Sequence, residues 1–263
     1  LARLTARLID ADFSRIQFTP DLMPSDVLGT TVFNMKTNEF DFHKGPIFAD
    51  IVLVDEINRA PAKTQSALFE VMEERQISID GTTHRMGELY TILATQNPVE
   101  QEGTYKLPEA QLDRFLMKLT MDYPSLDEEV NILERHHSNA ALVKLDDITP
   151  ALTKEELLTL RAFMKNVFVD RTLLQYIALI VQQTRTSKAV YLGASPRASV
   201  AMMQASKAYA LLQGRDFVTP EDIKFVAPYV LQHRLILTAE AEMEGYSPVK
   251  VTQRLIDKVE VPK

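Results

Sequence analysis

The chain has neither cysteine nor tryptophan among its 263 residues. Without thiols it can build no disulfide framework and no thiolate metal site, and the composition fits a reducing cytoplasm. No apolar run approaches the roughly 20 residues of a membrane span. The amino end, Leu1-Ala2-Arg3-Leu4-Thr5-Ala6-Arg7, lacks the layout of a secretory signal. Glycine is scarce, and none of the eight stands before a Lys-Ser or Lys-Thr pair. The phosphate-cradling loop G-x-x-x-x-G-K-S/T is therefore missing from these residues. Positive charge is also short, with 29 Lys and Arg against 36 Asp and Glu and a formal net charge of −7. That balance argues against a broad nucleic-acid footprint and favours protein partners.

What remains is ordinary globular material: 46% hydrophobic and 25% charged residues exclude disorder and fibrous repeats. The length suits two domains, each able to bury a core. Leu1, Leu4, Leu8 and Ile9 recur at helical spacing, so the chain opens inside an amphipathic helix. Phe13 to Phe18 reads as a short strand, and Thr31 to His43 as a hairpin. Ile51 to Val54 is a buried strand, and Pro61 stands near the start of a helix with Ala67, Leu68, Val71 and Met72 on one face. Gln76 to Met86 is a second hairpin turning at Asp80-Gly81. Tyr90 to Ala94 and Phe115 to Leu119 complete the strands. Strands alternating with helices predict an α/β architecture with a parallel sheet.

From Leu126 onward the periodic segments are helical: Glu128 to His136, Glu155 to Met164, Leu173 to Thr184, Arg197 to Leu212 and Pro220 to Leu237. The expected division is an α/β nucleotide-binding core over 1–124, a linker over 125–149 and a helical lid over 150–263.

The chemistry concentrates where strands end. Ile51-Val52-Leu53-Val54 runs into Asp55-Glu56, which offers one carboxylate to a metal and the next to an attacking water. Asp55 is the candidate magnesium ligand, through a bound water, because that ion keeps most of its waters. Glu56 is the candidate general base. Ala94-Thr95-Gln96-Asn97 ends the following strand in polar groups. In a parallel sheet the carboxyl ends of neighbouring strands open on one crevice, so Asn97 is expected to share the water with Glu56. Arg114, in Asp113-Arg114-Phe115, is a candidate for reaching a neighbouring subunit's phosphate. Ser195-Pro196-Arg197 reads as a capped helix start that aims Arg197 at an anion. The five histidines lack metal-ligand spacing and are expected to be solvated, and Met202-Met203 reads as core filling.

Three blocks carry a resemblance over essentially the whole chain: Phe18-Thr19-Pro20-Asp21-Leu22-Met23-Pro24-Ser25-Asp26, Asp55-Glu56-Ile57-Asn58-Arg59-Ala60-Pro61, and Ala94-Thr95-Gln96-Asn97-Pro98 through Arg114-Phe115. The sequence resembles the MoxR family of AAA+ ATPases. The resemblance implies that Asp55 and Glu56 form the Walker B pair, Asn97 is sensor 1, Arg114 the arginine finger and Arg197 sensor 2. It makes the two hairpins the helix-2 and pre-sensor-1 inserts. It implies ATP and ADP as ligands with Mg2+, and a hexameric ring. It further implies chaperone-like remodelling or maturation of a target, including metal insertion, alongside a von Willebrand factor A domain protein. The family's Walker A strand and loop should precede Leu1, between the sensor 1 strand and the last strand of the sheet. The natural protein is therefore expected to carry a further amino-terminal segment, and residues 1–263 alone are expected to be inactive. Two rival readings are a ring-assembly scaffold that has lost hydrolysis and a nucleic-acid motor of the related helicase group.

Overall fold

Val52 and Val54 are wholly buried and Ile51 nearly so, which makes the run before Asp55 the centre of a sheet. The computed structural model describes residues 1–97, 105–138 and 145–262. Along the chain, helix α1 (Ala2–Leu8) leads into strand β1 (Phe13–Gln17), then α2 (Pro24–Leu28) and the hairpin β2 (Gly29–Asn34) and β3 (Glu39–Lys44). Next come β4 (Ile51–Asp55), α3 (Ala62–Glu74), the hairpin β5 (Gln76–Ile79) and β6 (Thr82–Arg85), and β7 (Thr91–Ala94). Three strands form a parallel sheet in the order β1-β4-β7, with Gln17 opposite Asp55 and Val54 opposite Ala94. β4 thus lies between the other two, and the parallel pairing expected from the strand-helix alternation is present.

Local chemistry explains the elements around the sheet. Leu68 and Val71 on α3 are fully buried, as expected from their spacing, and Gln65 is buried beside them because its amide donates to the carbonyls of Ile57 and Ala60. The hairpin β2/β3 is pinched at its base, where a Cβ on Gly29 would stand 2.2 Å from the carbonyl oxygen of His43. Gly29 also has a φ of 106°, so both space and backbone demand glycine there. At the other hairpin, Asp80 and Gly81 both adopt positive φ, as a tight two-residue turn requires. The two hairpins touch: Thr31 donates to Asp80, and the rings of Phe42 and His84 lie 4.4 Å apart.

Beyond β7 the chain forms α4 (Glu109–Leu112), α5 (Leu126–His137), α6 (Lys154–Met164), α7 (Arg171–Thr186), β8 (Val190–Leu192), α8 (Pro196–Leu212), α9 (Pro220–Leu231), β9 (Ile236–Leu237), α10 (Ala239–Met243) and α11 (Pro248–Lys258). The chain divides into two compact units, one of residues 1–107 and 123–159, the other of 108–122 and 160–263. The units therefore interleave along the sequence, whereas the expected division ran in chain order from a core over 1–124 through a linker over 125–149 to a lid over 150–263. Within the expected linker, α5 is helical and residues 139–144 lie outside the described ones. In the second unit Tyr176, Ile180, Met202, Ile223 and Leu231 make a continuous apolar core across α7, α8 and α9. Met202 is core filling, as its place in the sequence suggested.

Three expectations are corrected. Phe115 to Leu119 does not form a strand. Its backbone groups are taken by side chains and backbone near the end of α9: Arg234 donates to the carbonyls of Phe115 and Leu116, and the Lys118 N–H donates to the carbonyl of Tyr229 at 2.9 Å. With those groups satisfied, the segment has no free ladder to offer. The helix from Pro220 stops at Leu231 rather than Leu237, because Ile236–Leu237 pairs antiparallel with Val190–Leu192. The histidines are not all solvated. His136 and His137 are exposed, but His84 packs its ring at a tilt against Phe42 and His233 is largely enclosed.

Candidate active site

The carboxyl ends of β1, β4 and β7 open on one cavity of about 370 Å³, lined by Arg15, Gln17, Asp55, Glu56, Thr95, Gln96 and Asn97. Register accounts for this. Parallel pairing in step brings the last residues of all three strands to the same edge, and the polar residues there have no apolar layer to enter.

Asp55 and Glu56 are adjacent but point to different partners. Asp55 ends the strand; Glu56 has left-handed backbone angles, φ 54° and ψ 50°, rare for a residue with a side chain and costing about 1–3 kcal/mol. That kink turns Glu56 out of the pleat. Asp55 Oδ1 accepts from Thr95 Oγ1 at 2.8 Å and Oδ2 from Arg15 Nε at 2.7 Å. Glu56 Oε2 accepts from Gln17 Nε2 at 3.1 Å and pairs with Arg59 Nε at 3.2 Å. The Thr95 hydroxyl joins the two strands, because it also accepts the Glu56 N–H at 3.0 Å. Asn97 is placed from below: its carbonyl accepts from the buried Asn58 amide at 3.3 Å.

Asp55, Glu56 and Asn97, drawn together on sequence alone, thus line a single cavity. Arg15 and Gln17 were not expected there. Their signal was weak: two polar residues two apart on a short strand share a face, but nothing in the sequence says which strand lies beside β4. Arg114 and Arg197 belong to the second unit. Arg114 is exposed in the turn after α4, and Arg197 is exposed in the first turn of α8. Ser195 caps that helix, accepting the Arg197 N–H at 3.1 Å. The residues before it are fixed by α7. Arg185 donates to the carbonyl of Ala194 at 2.9 Å, and a Cβ on Gly193 would come within 2.8 Å of the Arg185 backbone.

The donor set suits a magnesium ion that arrives with a nucleotide. Asp55 supplies one carboxylate beside a threonine hydroxyl, and among the described residues no three His, Cys, Asp or Glu cluster as a resident cation would need. The Arg15–Asp55 pair is no obstacle. With the arginine side chain 59% exposed, such a pair contributes at most about 1 kcal/mol and yields to a divalent ion.

Residues 1–117 match the ATPase family associated with various cellular activities (AAA), and residues 182–257 match the AAA lid domain. The protein YeaC of Bacillus subtilis, itself uncharacterised, is 48% identical over all of this chain and 81% of its own length. Chaperone MoxR1 of Mycobacterium tuberculosis is 44% identical over 98% of this chain and 70% of its own. The chain belongs to the MoxR family of AAA+ ATPases. A crystal structure of a candidate ATPase from Cytophaga hutchinsonii superposes with a TM-score of 0.89 at 40% identity, covering 99% of this chain and 81% of that one. Family membership carries the fold, an AAA+ domain followed by a helical lid, and a general ATPase, chaperone-type role. Among the described residues no helix is long and apolar enough to cross a membrane.

Proposed function

We propose that the protein hydrolyses ATP with magnesium and uses the cycle to remodel or mature a partner protein or complex, as a ring of identical subunits. The observation that carries the reading is the convergence of Asp55, Glu56 and Asn97 on one open cavity. In this assignment Asp55 holds the magnesium ion, which neutralises charge on the phosphates. Glu56 accepts the proton of the attacking water, and Asn97 orients that water. Arg197 contacts the nucleotide of its own subunit, and Arg114 that of its neighbour. A ring of six, a von Willebrand factor A domain companion and metal insertion as one maturation task follow from the family resemblance. They extend this proposal.

Glu56 accepts from Gln17 and pairs with Arg59 in the present arrangement, so it must shed one of them to take up a water's proton. Gln17 is exposed and Arg59 partly so, which keeps that release inexpensive. Glu56→Gln in the full-length protein should leave nucleotide binding intact and slow turnover by about 10² to 10⁴, the range for loss of a general base. Steady-state hydrolysis and equilibrium nucleotide binding, measured side by side, decide it. Unchanged hydrolysis removes Glu56 from the role.

A further inference from the structure

The turn that carries Arg114 is fastened to two other parts of its own unit, and the proposed reaction uses neither fastening. Arg234 is 8% exposed, and every one of its five N–H donors is taken. Nε meets Asp113 Oδ1 at 2.8 Å; Nη2 meets the carbonyls of Asp113 at 3.0 Å and Phe115 at 2.6 Å. Nη1 meets the carbonyl of Leu116 at 3.2 Å and that of Val230 on α9. Gln232 adds a bond from its amide to the carbonyl of Lys118. Residues 113–118 are thereby held to the end of α9.

The second fastening runs the other way. Asp113 Oδ2 accepts from Ser195 Oγ at 2.7 Å, and the same hydroxyl accepts the Arg197 N–H as the cap of α8. Capping needs only the oxygen's lone pair, so the hydroxyl proton given to Asp113 is surplus to it. An unbroken path results: Arg197 backbone, Ser195 hydroxyl, Asp113 carboxylate, and then Arg114 as the next residue. With both carboxylate oxygens engaged and the carbonyls of 113, 115 and 116 gripped, the turn cannot swing without pulling on the start of α8.

We infer that Asp113, Ser195 and Arg234 are positioning residues that tie the Arg114 turn to the first turn of the Arg197 helix, so that nucleotide contact at Arg197 sets the placement of Arg114. The inference rests on the proposed function, since it presumes those arginines serve successive sites of one ring. It adds a route between sites: what one subunit binds alters what its arginine does next door.

Ser195→Gly in the full-length protein tests this, because glycine is close to serine as a helix cap but has no proton for Asp113. Nucleotide affinity should hold, and the thermal midpoint should fall by no more than the few degrees that one lost hydrogen bond costs. The turnover number should fall roughly tenfold, as for one lost hydrogen bond to a charged group, and the Hill coefficient of hydrolysis should drop toward one. Ser195→Thr should restore both. A Ser195→Gly protein with the parent's turnover and Hill coefficient overturns the inference, as does a loss that threonine fails to restore, which would belong to the helix end alone. Arg114→Ala and Arg197→Ala run in parallel; if neither slows hydrolysis, the assigned roles of the arginines fail, whatever Ser195 does.

Discussion

Asp55 and Glu56 share a peptide bond and little else. One stays in the strand and faces Thr95 and Arg15; the other is thrown out by a left-handed backbone and faces Gln17 and Arg59. Two adjacent carboxylates can hold different roles because that kink separates their surroundings. Since among the described residues Asp55 joins no cluster of three such ligands, any magnesium should come and go with nucleotide. Chelation is therefore expected to stop hydrolysis while leaving the melting temperature of the nucleotide-free protein unmoved. A melting temperature that falls on chelation would reveal a resident ion. His233 gives a second test at this scale. Burial, and then the Arg234 guanidinium beside it, push its pKa down from 6.5 to about 4. Above pH 6.5 the ring is neutral folded or unfolded, and its share of stability is complete. As pH falls from there to about 4 the unfolded chain takes up a proton that the folded one refuses, a loss of roughly 3 kcal/mol by linkage. His233→Asn should flatten the decline of the unfolding midpoint across that window relative to the parent; parallel curves would contradict it. None of this was visible in the sequence, where His233 is one more histidine in a polar-looking stretch.

Elements were legible where one physical pattern dominated. The apolar run of β4, the Asp80-Gly81 turn and the apolar face of α3 each announced themselves, because burial and turn geometry act on residues close in sequence. Phe115 to Leu119 has the composition of a strand, yet its carbonyls go to Arg234 and Gln232, more than a hundred residues away, and no local pattern carries such a partnership. The end of α9 depends on a distant partner in the same way, since Ile236–Leu237 is recruited by β8. Its beginning is local, because Thr219-Pro220 signals a start by itself. There Asp222 accepts the Thr219 N–H at 2.7 Å and binds Arg215 through both oxygens, at 2.8 and 2.5 Å. Burial alone would raise the Asp222 pKa, but these bonds outweigh it and hold the carboxyl below its usual range. Asp222→Ala should cost about 2 kcal/mol in urea denaturation, since it removes the acceptor of the Thr219 N–H and the carboxylate partner of a partly exposed guanidinium. A loss below about 1 kcal/mol would mean the pair is no stronger than a surface one.

At the scale of the whole molecule, two units with separate cores divide the assigned roles. The first holds Asp55, Glu56 and Asn97; the second holds Arg114 and Arg197. The sequence suggested a core followed by a lid, and both are present. It did not suggest that residues 108–122 cluster with the lid and 123–159 with the core, because chain order says nothing of which segments cross back. Under the proposed assignment, the first unit would supply the metal ligand, the base and the water-orienting group, and the second the two arginines that meet phosphate. In the proposed reaction Glu56 and Asn97 serve one water at one triphosphate. A double-mutant cycle on ATP turnover by the full-length protein, with Glu56→Gln, Asn97→Ala and the pair together, decides whether they do. The predicted result is strong non-additivity, with the double variant scarcely slower than Glu56→Gln alone; rate losses that simply multiply would show two residues acting apart.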